Sequence, residues 1–511
     1  MGKVKRRMLI NAVFGGMAYM SGMLVSIFMT PFLLRRLTDE VYGLIPLINS
    51  LVIFLSLVSM GINAALGRYV TYHLARGEDD EANQYFTTGC GLLAGLAMLG
   101  LVPLLAIVFA LPHLFNLPAG YAVEAQWVAL LMGLNCLVNI VGTPLSVPLY
   151  ATQRLALRYS FDILDVIIRT GLIVAAFLCI RAQVIYVAIA TLTSTSVIVV
   201  ARYRVSRLLV PQLRLARRFF RGVRLRSIFS FSFYMVLSSV GVMLLLKTDI
   251  LLVNWLFGST AVTRYSLVSR WNPTIRNVLW TMLAVVTPVV TALQAAGYED
   301  KIRETILRGM RYALLLAVLP CVLFPIFAPQ FLTTWVGAKY AGMAPVLMIL
   351  IIPLSLVIAS QPISIVLRGM GRVRFPSLVT VCGAIVNLAL SIILATVGGM
   401  GMLGIAVATA VVCVVTAVLV YPTYAARRLG LSPSVYFRGY LRPALACIPM
   451  VVAAVWMYHS VNLVGWPRLL AGYAVCSVIY LIPAYAIGLR RDDRAILWQT
   501  LGLSRVRRDE P

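Results

Sequence analysis

Residues Leu244–Asn254 read LLLKTDILLVN, with a lysine and an aspartate two positions apart inside an apolar run. The chain on either side stays apolar for about the ~20 residues that a helix needs to cross a bilayer. An ionised side chain at mid-bilayer costs at least about 2.5–3.5 kcal/mol, so Lys247 and Asp249 must sit where a partner or a wet cavity offsets that cost. The composition agrees with a membrane setting. Of 511 residues, 61% are hydrophobic and only 12% charged, about half the charge of an ordinary soluble domain. No stretch shows the ~10-residue alternation of a membrane β-barrel. The expected fold class is an all-α polytopic membrane protein.

Fourteen apolar spans fit, with approximate limits 10–34, 41–65, 89–111, 126–150, 160–180, 184–201, 228–257, 262–291, 312–333, 344–367, 375–396, 400–424, 443–460 and 468–488. The net charge of +27 would suit nucleic acid, but the basic residues fall mostly in short connections between apolar runs. That is the positive-inside pattern of a membrane protein facing cytoplasm and anionic lipid. With the N-terminus inside, thirty-four of the 44 lysines and arginines lie on the cytoplasmic side and five on the other, so both termini are expected in the cytoplasm. The remaining five, Arg169, Lys247, Arg264, Arg270 and Arg276, fall within spans. The basic run Arg202–Arg226, RYRVSRLLVPQLRLARRFFRGVRLR, interleaves arginines with apolar residues. It suits a helix lying on anionic headgroups and equally a solvated linker.

The eight cysteines stand singly in apolar segments without CxxC or Cys/His spacing, so no disulfide, metal site or cofactor is expected. The opening MGKVKRRMLINAVFGGMAYM is basic then apolar, like a signal peptide, but the apolar run continues to Leu34, as in an uncleaved first helix. No GxxxxGK[ST] phosphate loop or nucleophile elbow occurs, and the longest outer connection, about Leu111–Gln126, is short for a glycan polymerase or glycosyltransferase. The chain is expected not to be an enzyme.

The sequence also resembles itself at a shift of about 218–220. TPLSVPLYATQR (Thr143–Arg154) matches QPISIVLRGMGR (Gln361–Arg372), ARGEDD (Ala75–Asp80) matches AAGYED (Ala295–Asp300), and Arg169 falls opposite Asn387. Six spans per copy keep both copies in one orientation, a parallel repeat that suits alternating access around a central cavity. The expected organisation is a six-helix half over 1–201, a basic cytoplasmic linker over 202–227, a second six-helix half over 228–424, two further helices over 425–488 and a basic tail over 489–511.

Three stretches carry a family resemblance: the opening around TPFLLRRLTDEVYGL, GINAALGRYVTYHLARGEDDEA (Gly61–Ala82) and KTDILLVNWLFGSTAVTRYSL (Lys247–Leu267). They are similar to polysaccharide transporters, the oligosaccharide flippases of the multidrug/oligosaccharidyl-lipid/polysaccharide exporter superfamily, over about the first 430 residues. The resemblance implies movement of a polyprenyl-diphosphate-linked oligosaccharide, such as an O-antigen or exopolysaccharide unit, from the cytoplasmic to the periplasmic leaflet of the bacterial inner membrane. It implies a monomer working among membrane lipids and other polysaccharide-assembly proteins, with nucleic acid no partner. The two extra helices resemble those of the lipid II flippase branch. A multidrug exporter of the same superfamily is the nearer rival.

A diphosphate crossing ~30 Å of hydrocarbon needs a wet, cationic path. Arginine's planar fork suits a diphosphate. In SRWNPTIRNVLWT (Ser269–Thr281), Arg270, Pro273, Thr274, Asn277 and Thr281 share a helical stripe, and Arg276 points elsewhere. The expected substrate contacts are Arg270, Arg276, Lys247, Asn277 and Asn254, the last on the face of Lys247. Asp249, Asp162, Asp165 and Arg169 are the candidates for gating or ion coupling, with Asp165 and Arg169 spaced to pair within one helix. Within the spans, five basic residues stand against three acidic ones, which favours an anionic substrate over a cationic drug.

Overall fold

The computed structural model describes residues 2–283, 299–369, 374–429, 433–490 and 492–494. These residues form helices joined by short turns, with no strand among them. The protein is a multi-pass all-α membrane protein. By length and apolarity alone, twelve helical stretches can cross a bilayer, and the difference from fourteen has two local causes. Leu155–Cys179 carries Arg158, Asp162, Asp165 and Arg169 and fails on charge, not on helicity. Ser239–Trp280 counts once at 42 residues, although at 1.5 Å per residue it would run about 63 Å, twice a hydrocarbon core. It is interrupted at Gly258, where φ 80° and ψ −179° leave the helical region for one that L side chains rarely adopt.

The chain divides into two units, residues 1–266 with 380–384 and residues 267–379 with 385–511. In the first, α1 (Gly2–Leu34) packs on α8 (Leu155–Cys179), and α8 packs on α9 (Val184–Leu209). After the turn α2 (Asp39–Tyr42), α3 (Leu44–Val52) runs through a 3-10 segment, Ile53–Ser56, into α4 (Leu57–Ala75). The neighbours α4, α5 (Asp79–Leu114) and α6 (Ala122–Gly142) pack in sequence, and α6 also meets α3 and α9. Thr38 accepts the Val41 N–H at the start of α2, and Asp79, Asp80 and Glu81 occupy the first turn of α5, where the helix dipole favours negative charge. A second 3-10 segment, Thr143–Ser146, holds Pro144, which cannot donate to the helical ladder, and leads into α7 (Val147–Ala151). The long α10 (Gly222–Ser269) supplies the rest, except its last three residues.

In the second unit, Ile306, Met310 and Leu314 of helix Glu299–Val318 pack against Ile363, Val366 and Leu367 of helix Leu354–Gly369, with Ala425, Ala426 and Tyr440 closing the core. Helix Pro433–Ser460 packs on Trp466–Pro483, the pair beyond the second six-helix half. Parts of the repeat, residues 295–298 and 370–373, lie outside the described residues, as do residues 284–291 of the eighth expected span and nearly all of the basic tail.

The basic stretch expected as a linker begins as helix. α9 continues to Leu209, so Arg202 stays in the ladder and pairs with Asp162 of α8. This corrects the expected pairing within α8. Asp165 accepts from the Ser194 hydroxyl and makes no ion pair with Arg169.

Candidate functional site

Two helical faces in the first unit border an open cavity of about 490 Å³, within the range typical of small-molecule sites. One face runs down α3, the 3-10 segment and α4 through Asn49, Ile53, Ser56, Ser59 and Asn63. The other runs down α6 through Met132, Asn135, Cys136 and Asn139 to Thr143, and Thr191 of α9 completes the wall. The steps between these positions are those of residues stacked on one side of a helix. None of the lining residues is Asp, Glu, Lys, Arg or aromatic.

The hydroxyls on this wall donate back into their own helices: Ser56 to Ile53 O at 2.7 Å, Ser59 to Ser56 O at 2.7 Å, Thr143 to Asn139 O at 2.7 Å and Thr191 to Val187 O at 2.7 Å. Asn63 donates through Nδ2 to Ser59 O at 2.9 Å, but its buried Oδ1 has no partner among the described residues. The buried Oδ1 of Asn135 is likewise unanswered. A buried acceptor left in this state costs about 1–3 kcal/mol. The sequence signal for this wall was the pair of asparagines at 135 and 139, one turn apart, and those at 49 and 63, close to four turns apart.

The charged candidates are dispersed through the fold. Lys247 is half-buried in α10 and makes no hydrogen bond or ion pair among the described residues. Asp249 is 6% exposed and accepts from the buried Tyr265 hydroxyl at 2.9 Å, across the Gly258 interruption. Asn254, expected to share a substrate face with Lys247, does something else. It is fully buried; its Oδ1 accepts from the Asn116 N–H at 2.9 Å and its Nδ2 donates to Asn116 O at 3.1 Å. Ser259 donates to the same carbonyl at 2.6 Å. This clasp ties the chain after α5 to the break in α10 and leaves Asn254 no polar atom for a ligand, which corrects that expectation.

Arg169 is half-buried in α8 with no partner among the described residues. In the second unit, Arg270 stands at the junction before α11 (Trp271–Leu283), where its carbonyl accepts from the Thr274 hydroxyl at 2.8 Å. Trp271 anchors α11 against Phe331 and Trp335, with ring centroids 5.2 and 5.3 Å away. Arg276, one turn further on, is half-buried with a shielded Nε that meets no acceptor among the described residues, while Asn277 beside it is exposed.

A profile of the polysaccharide biosynthesis protein family matches residues 8–294, more than half of the chain. The chain belongs to this family. A MatE profile matches residues 235–393. The uncharacterized membrane protein EpsK of Bacillus subtilis (strain 168) is 22% identical over 482 residues, covering 94% of this chain and 95% of that protein. Among solved structures, the lipid II flippase MurJ in an inward closed conformation superposes with a TM-score of 0.71 at 11% identity, over 96% of this chain and 99% of its own. An inward-facing multidrug resistance MATE family transporter of the MOP superfamily gives 0.67 at 17% identity, over 80% and 94%. At these identities the likeness to solved structures is one of fold, and the fold is that of MOP-superfamily transporters.

Proposed function

We propose that this family member is a flippase that carries a polyprenyl-diphosphate-linked oligosaccharide from the cytoplasmic to the periplasmic leaflet of the bacterial inner membrane, with both termini in the cytoplasm. The observation that carries this reading is the state of three cations. Lys247 and Arg276 lie in an apolar stretch long enough to cross a membrane, and Arg169 in the charged α8, without an ion pair among the described residues. Cations held in apolar helices without counter-charge are expensive, and an anionic cargo would offset that cost. Family membership supports a role in polysaccharide assembly. The likeness to a lipid II flippase extends over 96% of this chain and that to the MATE transporter over 80%.

In this reading Lys247 in the first unit and Arg276 in the second each meet the diphosphate during transit, with Arg270 and Asn277 assisting along α11. The Asp162–Arg202 pair, Asp165, Arg169 and Asp249 serve as gating or ion-coupling groups. A second reading, export of cationic drugs, draws on the MatE match. It calls for carboxylates where this chain keeps unpaired cations. Deleting the gene separates the two. Polyprenyl-diphosphate saccharide should accumulate on the cytoplasmic leaflet and surface polysaccharide should disappear. Normal glycan with new sensitivity to cationic dyes would establish the drug exporter instead.

A further inference from the structure

The cavity between α3–α4 and α6 has chemistry unlike that of the cationic positions, and it names a different part of the cargo. We propose that it is a saccharide site that takes up uncharged, hydroxyl-rich sugar residues. The inference rests on the flippase reading for its biological meaning but on the cavity itself for its ligand class.

The wall carries no charge and sets its amides and hydroxyls among the apolar Val52, Ile53, Met60, Met132 and Ile140. Asn49, Asn135 and Asn139 make no side-chain hydrogen bond among the described residues; the exposed Asn49 and Asn139 each present both an amide donor and an acceptor, and Asn135, its Oδ1 shielded, presents its amide donor. Asn63 donates to Ser59 O and keeps its Oδ1 shielded, so it offers an acceptor only once its side chain turns. The hydroxyls have turned their protons into their own helices and offer only lone pairs. A matching ligand must both donate and accept at several closely spaced points. Sugar hydroxyls and acetamido groups do this. A phosphate offers mainly acceptors and would look for cations, which this wall lacks. A cationic drug would look for carboxylates or aromatic faces, also absent from the lining. A purely apolar guest would strip water from the exposed amides of Asn49 and Asn139 and leave them unanswered. Asn49 and Asn139 are exposed, whereas Asn63 and Asn135 have their oxygens shielded from solvent. A sugar would therefore exchange water at the exposed amides, and would meet the shielded oxygens only where an amide rotates toward the cavity.

Cys136 lies on the same wall and supplies a native reporter, with the exposed Cys179 of α8 as an internal reference. Purified full-length protein in lipid nanodiscs would be treated with a small methanethiosulfonate reagent, and labelling of each cysteine followed by peptide mass spectrometry. The probes are neutral gluco-, galacto- and N-acetylglucosamine oligomers, a galacturonate oligomer and inorganic diphosphate. At least one neutral oligomer should slow labelling of Cys136, but not of Cys179, by about fivefold once it reaches about four times its Kd. Diphosphate should not. The variant N63L/N135L should lose this protection. Should it fail to fold, N135D alone serves, since a carboxylate there should weaken neutral sugars without enlarging the side chain.

Failure of every neutral oligomer to protect Cys136 at about 100 mM, far above a millimolar Kd, would overturn the proposal. Stronger protection by diphosphate would overturn it too, as would undiminished protection in folded N63L/N135L. These outcomes are separable from failure of the flippase reading. Protection with normal glycan in the deletion strain keeps the saccharide site and removes the flippase. Accumulation in the deletion strain without protection does the reverse.

Discussion

Buried polar groups are treated in opposite ways at two places, one in each unit. In the second, Asp493 is 2% exposed and answered on every side. Arg311 Nη1 approaches at 3.0 Å and Arg308 Nε at 3.7 Å, the Tyr312 hydroxyl donates at 2.9 Å, and the backbone N–H of Arg490 donates at 3.1 Å. The result fastens the segment after the last helix onto helix Glu299–Val318. In the first unit, Asn63 and Asn135 hold shielded oxygens that no protein group meets, and both stand on a cavity wall. Where every polar atom is matched, the group is part of the architecture; where shielded atoms beside open space are unmatched, the place to look for a ligand is that space.

Mutations can break this contrast. The largest effect should come from Asp493→Ala, which strands the buried Arg311 and should cost about 3–5 kcal/mol, read as a lower unfolding temperature in detergent. An unchanged temperature would mean that the cluster is dispensable. Asn254→Ala removes both side-chain hydrogen bonds from Asn254 to the Asn116 backbone and should cost about 1–3 kcal/mol by the same measurement. Gly258→Ala sharpens the picture. A Cβ there would meet nothing within 4 Å, so any loss, expected at about 1–3 kcal/mol, comes from backbone conformation alone. The smallest change in stability, and possible only in the other direction, belongs to Lys247→Met. It removes an unpaired cation, so the unfolding temperature should hold or rise while glycan export in a deletion background falls. A variant that unfolds more easily but still exports would make Lys247 a structural residue.

The helical fold was legible because hydropathy acts over whole spans. Even α8, with its charges, showed as a span once the loops around it were set. The site was less so. In an apolar run a lysine or arginine draws the eye, and Lys247, Arg270 and Arg276 stand out for that reason, whereas four asparagines spread over ninety residues do not. Hydrogen-bond satisfaction is a tertiary property. The partner of Asn254 lies 138 residues away, in the turn after α5, and nothing around LLLKTDILLVN announces it. Arg202 was placed outside the membrane because the arginines after it belong there, yet the last turns of α9 hold it opposite Asp162.

The 3-10 segment Ile53–Ser56 separates Asn49 from Asn63 on the same wall. Three residues per turn in place of 3.6 advance the chain 120° per residue instead of 100°, and 2.0 Å instead of 1.5 Å, so four such residues store about 80° of extra winding and about 2 Å of extra length. The angular phase between the two asparagines is thus set by how tightly four residues are wound. Rewinding them as α-helix would swing one amide away from the other without moving a loop or parting a helix pair, and spin labels above and below the segment would register it as a change in distance of that size.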